Sequence, residues 1–115
     1  VHVVHGHSSH HPLGIEVHRG RLILYGCGDL LSDYEGIHGH EHYRGELSAL
    51  YLPTVDTRTG TLQHLELAPT KVERFRLNRP SGEDVRWLAT TLDREGASLG
   101  TTVSVGNDNR LVVSW

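Results

Sequence analysis

The first eleven residues, VHVVHGHSSHH, contain five histidines: His2, His5, His7, His10 and His11. Imidazole is the commonest side-chain ligand for transition metals, and zinc, iron, nickel and manganese sites all use it. Geometry decides whether neighbouring histidines can share an ion. On an extended strand His5 and His7 would face the same way. Gly6, however, is expected to end the strand and leave His7 in a turn. A turn can aim His7 and His10 at a common point, and the small Ser8 and Ser9 let the backbone bend around it. The candidate metal ligands are therefore His7 and His10, and no catalytic residue is assigned. The residues alone leave three readings open: one corner of an active site, a self-contained His-rich metal module, or a solvated tail. Irregular spacing, with strand formers interleaved, argues against a purification tag.

Two histidines do not complete a catalytic site. A zinc enzyme commonly has three protein ligands and an open position. Two-metal hydrolases need more, and carboxylates usually bridge their ions. Glu16, Asp29, Asp33, Glu35 and Glu41 are the nearby oxygen donors, but none is singled out by spacing. His38, His40 and His42 read as part of a solvated loop. Tyr43 and Arg44 read as surface packing, with the lining of an anionic-polymer groove as the alternative. Trp87 and Trp115 read as packing residues. Cys27 reads as a small buried hydrophobe rather than a nucleophile.

The elements that must position these side chains are mostly strands. VHVV is short and β-branched and runs into the turn GHSSHHPLG. Ile15–His18 and Arg21–Tyr25 form a hairpin around Arg19-Gly20, where glycine permits positive φ. GCGDLLSDYEGIHGHEHYRG reads as a long loop, of a length that suggests function. ELSALYLPTVD and TGTLQHLELAP form a second hairpin, with Leu65 and Leu67 alternating with His64 and Glu66. TKVERFRLNRP is extended, with Val72, Phe75 and Leu77 as core contacts. SGEDVRWLATTLDREG is the one clear helix. Ser81 caps it, Asp84 completes a capping box, and Glu83 and Asp84 sit at the positive end of its dipole. Val85, Leu88 and Leu92 form its apolar face, and Gly96 is the expected terminator. TTVSVGNDNRLVVSW closes the chain as a hairpin around residues 106–109.

The chain has 115 residues, which suits one domain or part of one. Hydrophobic residues make up 37% and charged residues 22%, a globular composition. Formal charge is −3 with neutral histidine, so nothing predicts steering toward nucleic acid. Protonating all ten histidines would move that charge from −3 to +7, unless some are buried or ligated and do not titrate normally. With Cys27 the only cysteine, there is no internal disulfide and no multi-cysteine zinc module. No apolar run has the length of a membrane span, and no signal-peptide pattern is present. The chain starts at Val1 and contains no Met, so it is read as a segment of a longer protein.

The run GHSSHHPLGIEVHRGRLILYGCGDLLSDYEG resembles the capsule-synthesis CapA family, also called the poly-γ-glutamate biosynthesis family. Gly6-His7, His10, Gly14-Ile15-Glu16, Arg19-Gly20 and Leu22–Asp29 carry the resemblance, which is strong over residues 3–35 and weaker but collinear to Trp115. It implies that this is the C-terminal part of such a protein. The implied fold class is α/β, the C-terminal portion of a four-layer α/β/β/α sandwich similar to the calcineurin-like metallophosphoesterases. The resemblance further implies that Gly6-His7-Ser8-Ser9-His10 is the last ligand motif of a two-metal centre. The metals would be divalent (Mn, Zn or Fe), with His7 on one ion, His10 on the other, and His5 and His11 spare. The spacing is one residue longer than the Gly-His-x-His of the wider superfamily. The superfamily's Asp-x-His and Gly-Asn-His-Glu motifs do not occur in the chain, and Gly28-Asp29 falls after the final His motif. The remaining ligands are thus expected from a preceding part of the same protein, and the segment alone is expected to be inactive. The implied partners are that missing part and an anionic polymer or phosphoester. A polymer-handling or assembly role without hydrolysis is the alternative function. The family also implies a membrane-associated or exported bacterial protein.

Overall fold

A computed structural model describes residues 1–30 and 44–115. His38, His40, His42 and Tyr43, with Asp33, Glu35 and Glu41, lie outside the described residues. The fold is α/β and rich in strand. Eight strands are described: β1 (Val3–His5), β2 (Ile15–His18), β3 (Arg21–Leu24), β4 (Leu47–Val55), β5 (Leu62–Glu73), β6 (Arg76–Asn78), β7 (Thr102–Val105) and β8 (Leu111–Ser114). The single α-helix among the described residues is α1 (Gly82–Gly96).

These strands form two sheets. The first has the order β1-β3-β2, with β1 parallel and β2 antiparallel to β3. The second has the order β4-β5-β8-β7, with β6 added to the end of β5, and all its pairings are antiparallel. One apolar core joins both. Ile15, Leu22 and Leu24 of the first sheet cluster with Leu65 and Leu67 of β5, Val103 and Leu111 of β7 and β8, and Val85, Leu88 and Leu92 of α1. Leu65 and Leu67 are fully buried, while His64 before them is exposed and Glu66 between them is half-buried, as the alternation predicts. Buried Thr101 ties the layers by a further bond, its hydroxyl donating to the Ile15 carbonyl at 2.7 Å. Two sheets and one helix among the described residues make the strand-rich α/β segment that was expected.

The helix starts as read: Ser81 Oγ accepts from the Asp84 amide at 3.1 Å, and the Asp84 carboxylate accepts from the Ser81 amide at 3.1 Å. Its end differs. Gly96 keeps right-handed helical geometry as the last residue of α1, and the chain passes through a 3₁₀ turn, Ala97–Leu99, before reversing at Gly100 with φ 83°. Gly96 serves packing instead, because a Cβ there would collide with Thr101.

TKVERFRLNRP is not one extended piece. β5 runs on through Pro69 to Glu73, and the chain turns at Arg74 and Phe75, with φ 52° and 60°, into β6. Phe75 sits at the tip of this hairpin, 64% exposed, and Leu77 is 44% exposed. The expectation of core contacts at Val72, Phe75 and Leu77 therefore fails: Phe75 is in the turn, Leu77 is on the short outer strand β6, and Val72 paired with it is half-buried and outside the core cluster. Trp87 does pack against the core, but Trp115 at the chain end is half exposed.

Candidate functional site

The site follows from one pairing. β1 lies parallel to β3 in the register Val3↔Leu22, Val4↔Ile23, His5↔Leu24. The carboxyl ends of the two strands are thus adjacent, and the loops that leave them run together. This is where α/β sheets gather ligands. Gly6 ends β1, its amide donating to the Leu24 carbonyl at 2.7 Å. A side chain at position 6 would strike the Tyr25 carbonyl, so only glycine allows this approach. Leu13 donates to the Gly26 carbonyl at 2.9 Å, and Pro12 bridges to Cys27. Ser48 of β4 holds the second loop by donating to the Cys27 carbonyl at 3.0 Å.

Two polar pairs result, each joining one loop to the other. His10 Nδ1 lies 2.8 Å from Asp29 Oδ2. His5 Nε2 lies 3.3 Å from Cys27 Sγ. Both pairs line one groove of about 570 Å³, floored by Leu22, Leu24 and Ala49. His7 also lines it, with Nδ1 3.1 Å from Ser8 Oγ. Ser8 takes positive φ, 72°, which supplies the bend expected of this turn. The three predicted ligands His5, His7 and His10 therefore share a groove. Among the described residues, no group of three or more His, Cys, Asp or Glu side chains converges closely enough to hold an ion.

Burial pushes the Cys27 thiol above its usual pKa, so it is a poor thiolate nucleophile. Cys27 is half-buried and packs against the core, as a small hydrophobe should, and it also contacts His5 in the groove. Tyr51 of β4 lines the groove too. Its buried hydroxyl has no hydrogen-bond partner among the described residues, and burial, with a smaller contribution from Cys27, raises its pKa. Sequence reasoning missed both contributions. The available signal was the glycine-spaced run Gly26-Cys27-Gly28-Asp29 leaving β3.

The other candidates separate from the groove. Glu16 accepts from the Tyr25 hydroxyl on the β2–β3 hairpin. Arg44 is committed to structure: it pairs with Glu46 and Asp84, each at 2.7 Å, and stacks over Trp87 at 5.4 Å. The notion that histidines are buried also fails among the described residues. His2, His5, His7, His10, His18 and His64 are exposed and His11 is half-buried, because all lie on an edge strand, in loops or on outward strand positions.

Residues 1–34 match the family described as Bacterial capsule synthesis protein PGA_cap. Over 111 residues, 96% of the chain, it is 50% identical to two Mycobacterium tuberculosis proteins, from strains CDC 1551 and H37Rv, each named "Probable polyglutamine synthesis accessory protein". The chain spans 29% of the length of each of these relatives. The resemblance to the capsule-synthesis family is borne out: in its first 34 residues the chain carries the PGA_cap sequence, and nearly all of it is similar to the polyglutamine-synthesis relatives. No helix among the described residues is long and apolar enough to cross a membrane.

Proposed function

We propose that this chain is the C-terminal portion of a poly-γ-glutamate or capsule biosynthesis protein, and that it supplies the last histidine ligands of a two-metal, phosphoesterase-like centre. The observation that carries this reading is the His10–Asp29 pair at the carboxyl ends of two parallel strands. A carboxylate on Nδ1 of a histidine fixes the ring and its tautomer, and this is the usual support behind a ligating Nε2. His10 would hold one ion through Nε2 and His7 the other, with the His5–Cys27 pair beside them. The pairs are incomplete shells, so further ligands would come from other parts of the protein. A metal pair held there supplies Lewis-acid polarisation of a phosphoryl oxygen and a water of lowered pKa. The chain's own contribution is to orient imidazoles and to wall one side of the groove with Leu22, Leu24 and Ala49.

The test is hydrolysis of a generic phosphodiester by the intact protein with Mn or Zn. Hydrolysis that disappears in His10→Ala supports the reading. Tight metal binding with no turnover of any phosphoester overturns it. A second reading, polymer handling without hydrolysis, is favoured by the three exposed arginines of the β5–β6 hairpin, Arg74, Arg76 and Arg79. It draws on the relatives' names as well.

A further inference from the structure

We propose that the β5–β6 hairpin is a docking surface for a polycarboxylate chain of the poly-γ-glutamate kind; this rests on the polymer-handling reading above. Residues 73–79 are exposed without interruption. They contain Arg74, Arg76 and Arg79 against a single acid, Glu73, a local charge of 3 − 1 = +2 in a chain whose formal charge is −3. None of these arginines has an ion-pair partner among the described residues. The contrast with Arg44 is direct, since that guanidinium is already taken by Glu46 and Asp84. Lys71, further down β5, is likewise taken by Asp84 at 3.3 Å.

The hairpin is held in shape. The register Lys71↔Asn78, Val72↔Leu77, Glu73↔Arg76 puts Arg76 and Asn78 on one face with Glu73, and Val72 and Leu77 on the other. The Asn78 amide donates back to the Arg76 carbonyl at 2.9 Å and the Glu73 carbonyl at 3.3 Å, bracing the turn. Glu73, Arg74, Arg76 and Asn78 line a shallow recess of about 590 Å³. A two-residue connection with both residues left-handed normally selects Asn-Gly. Here Arg and Phe occupy it, at φ 52° and 60°. Backbone strain of this kind tends to be kept where the side chains have a task, and the side chains presented are a guanidinium and a bare aromatic ring.

The chemistry favours carboxylates on a flexible backbone. Guanidinium forks pair bidentately with carboxylates, and a polymer repeats the partner at each residue, so weak exposed pairs add. The methylene-rich backbone of such a polymer can lie on Phe75 at the tip of the hairpin. Single-stranded nucleic acid would want several stacking rings along a basic groove, and this hairpin offers one. An anionic lipid surface would want more basic charge than +2.

The test is binding of purified poly-γ-glutamate to the intact protein at low salt, with neutral poly-glutamine, duplex DNA and anionic vesicles as comparison probes. The proposal expects binding of poly-γ-glutamate above the other three, weakening as salt rises. The triple variant Arg74→Gln/Arg76→Gln/Arg79→Gln should lose affinity roughly tenfold. The corresponding triple Arg→Lys variant keeps the charge and loses the forks, and it should bind between the two. It also decides the matter if the Gln variant does not fold. If the parent binds the polymer and the charge-removed hairpin binds equally, the hairpin is overturned and polymer handling stands. If the parent does not bind the polymer, both fall. Equal or stronger binding to DNA or vesicles overturns the choice of partner.

Discussion

At the scale of single residues, the site depends on which atom of each imidazole faces its neighbour. Asp29 meets Nδ1 of His10 rather than Nε2, the contact that the proposed two-metal reading assigns to holding the ring in place. Asp29→Ala should therefore weaken Mn or Zn binding by the intact protein about ten- to a hundredfold without removing a ligand. Calorimetric metal titration measures this, and an unchanged affinity would show that Asp29 does not position His10. Cys27 was legible only as a small thiol. Its partnership with His5 arises from residues 22 apart in sequence, and no local pattern announces it.

At the scale of elements, the start of α1 shows how a local motif acquires tertiary weight. Asp84 closes the capping box and also receives Arg44 at 2.7 Å and Lys71 at 3.3 Å, with its side chain only 8% exposed. Burial by itself would raise the Asp84 carboxyl; Arg44, the Ser81 cap and Lys71 outweigh it and hold the group well below the usual carboxylate range. A pKa lower in the folded than the unfolded state stabilises the fold above the unfolded value, about 3.9, and that stability drains away as pH falls from there toward the folded pKa. Asp84→Ala should cost about 2–3 kcal/mol at neutral pH. Denaturant unfolding should show the gap between parent and variant narrowing below about pH 4. The β5–β6 turn makes the opposite prediction. Phe75→Gly removes a left-handed aromatic residue that contacts no core, and should raise stability by about 0.5–1 kcal/mol in the same measurement. A loss of stability would mean the ring is packed.

At the scale of the whole molecule, the two sheets stand on one core. Leu67 is fully buried within the cluster that also holds Leu22 and Leu24 beneath the groove. Leu67→Ala should destabilise by about 3 kcal/mol and lower metal affinity as well, although it touches no ligand; denaturation and metal titration on one sample would detect both. The N-terminal cap of α1, the β2–β3, β4–β5 and β7–β8 hairpins and the outward–inward alternation of β5 were determined by the sequence alone, because each depends on side chains within a few residues of one another. The metal-ligand reading of Gly6-His7-Ser8-Ser9-His10 came from the same local range. What only the tertiary structure decided was the parallel union of β1 with β3. That pairing sets His5 against Cys27 and His10 against Asp29. The approach of the start of α1 to Arg44 committed that guanidinium to Asp84 as well as Glu46, while the arginines at the β5–β6 hairpin face solvent. Strand partners are chosen by the burial of a shared core, and that choice is made between segments too far apart for spacing or periodicity to register.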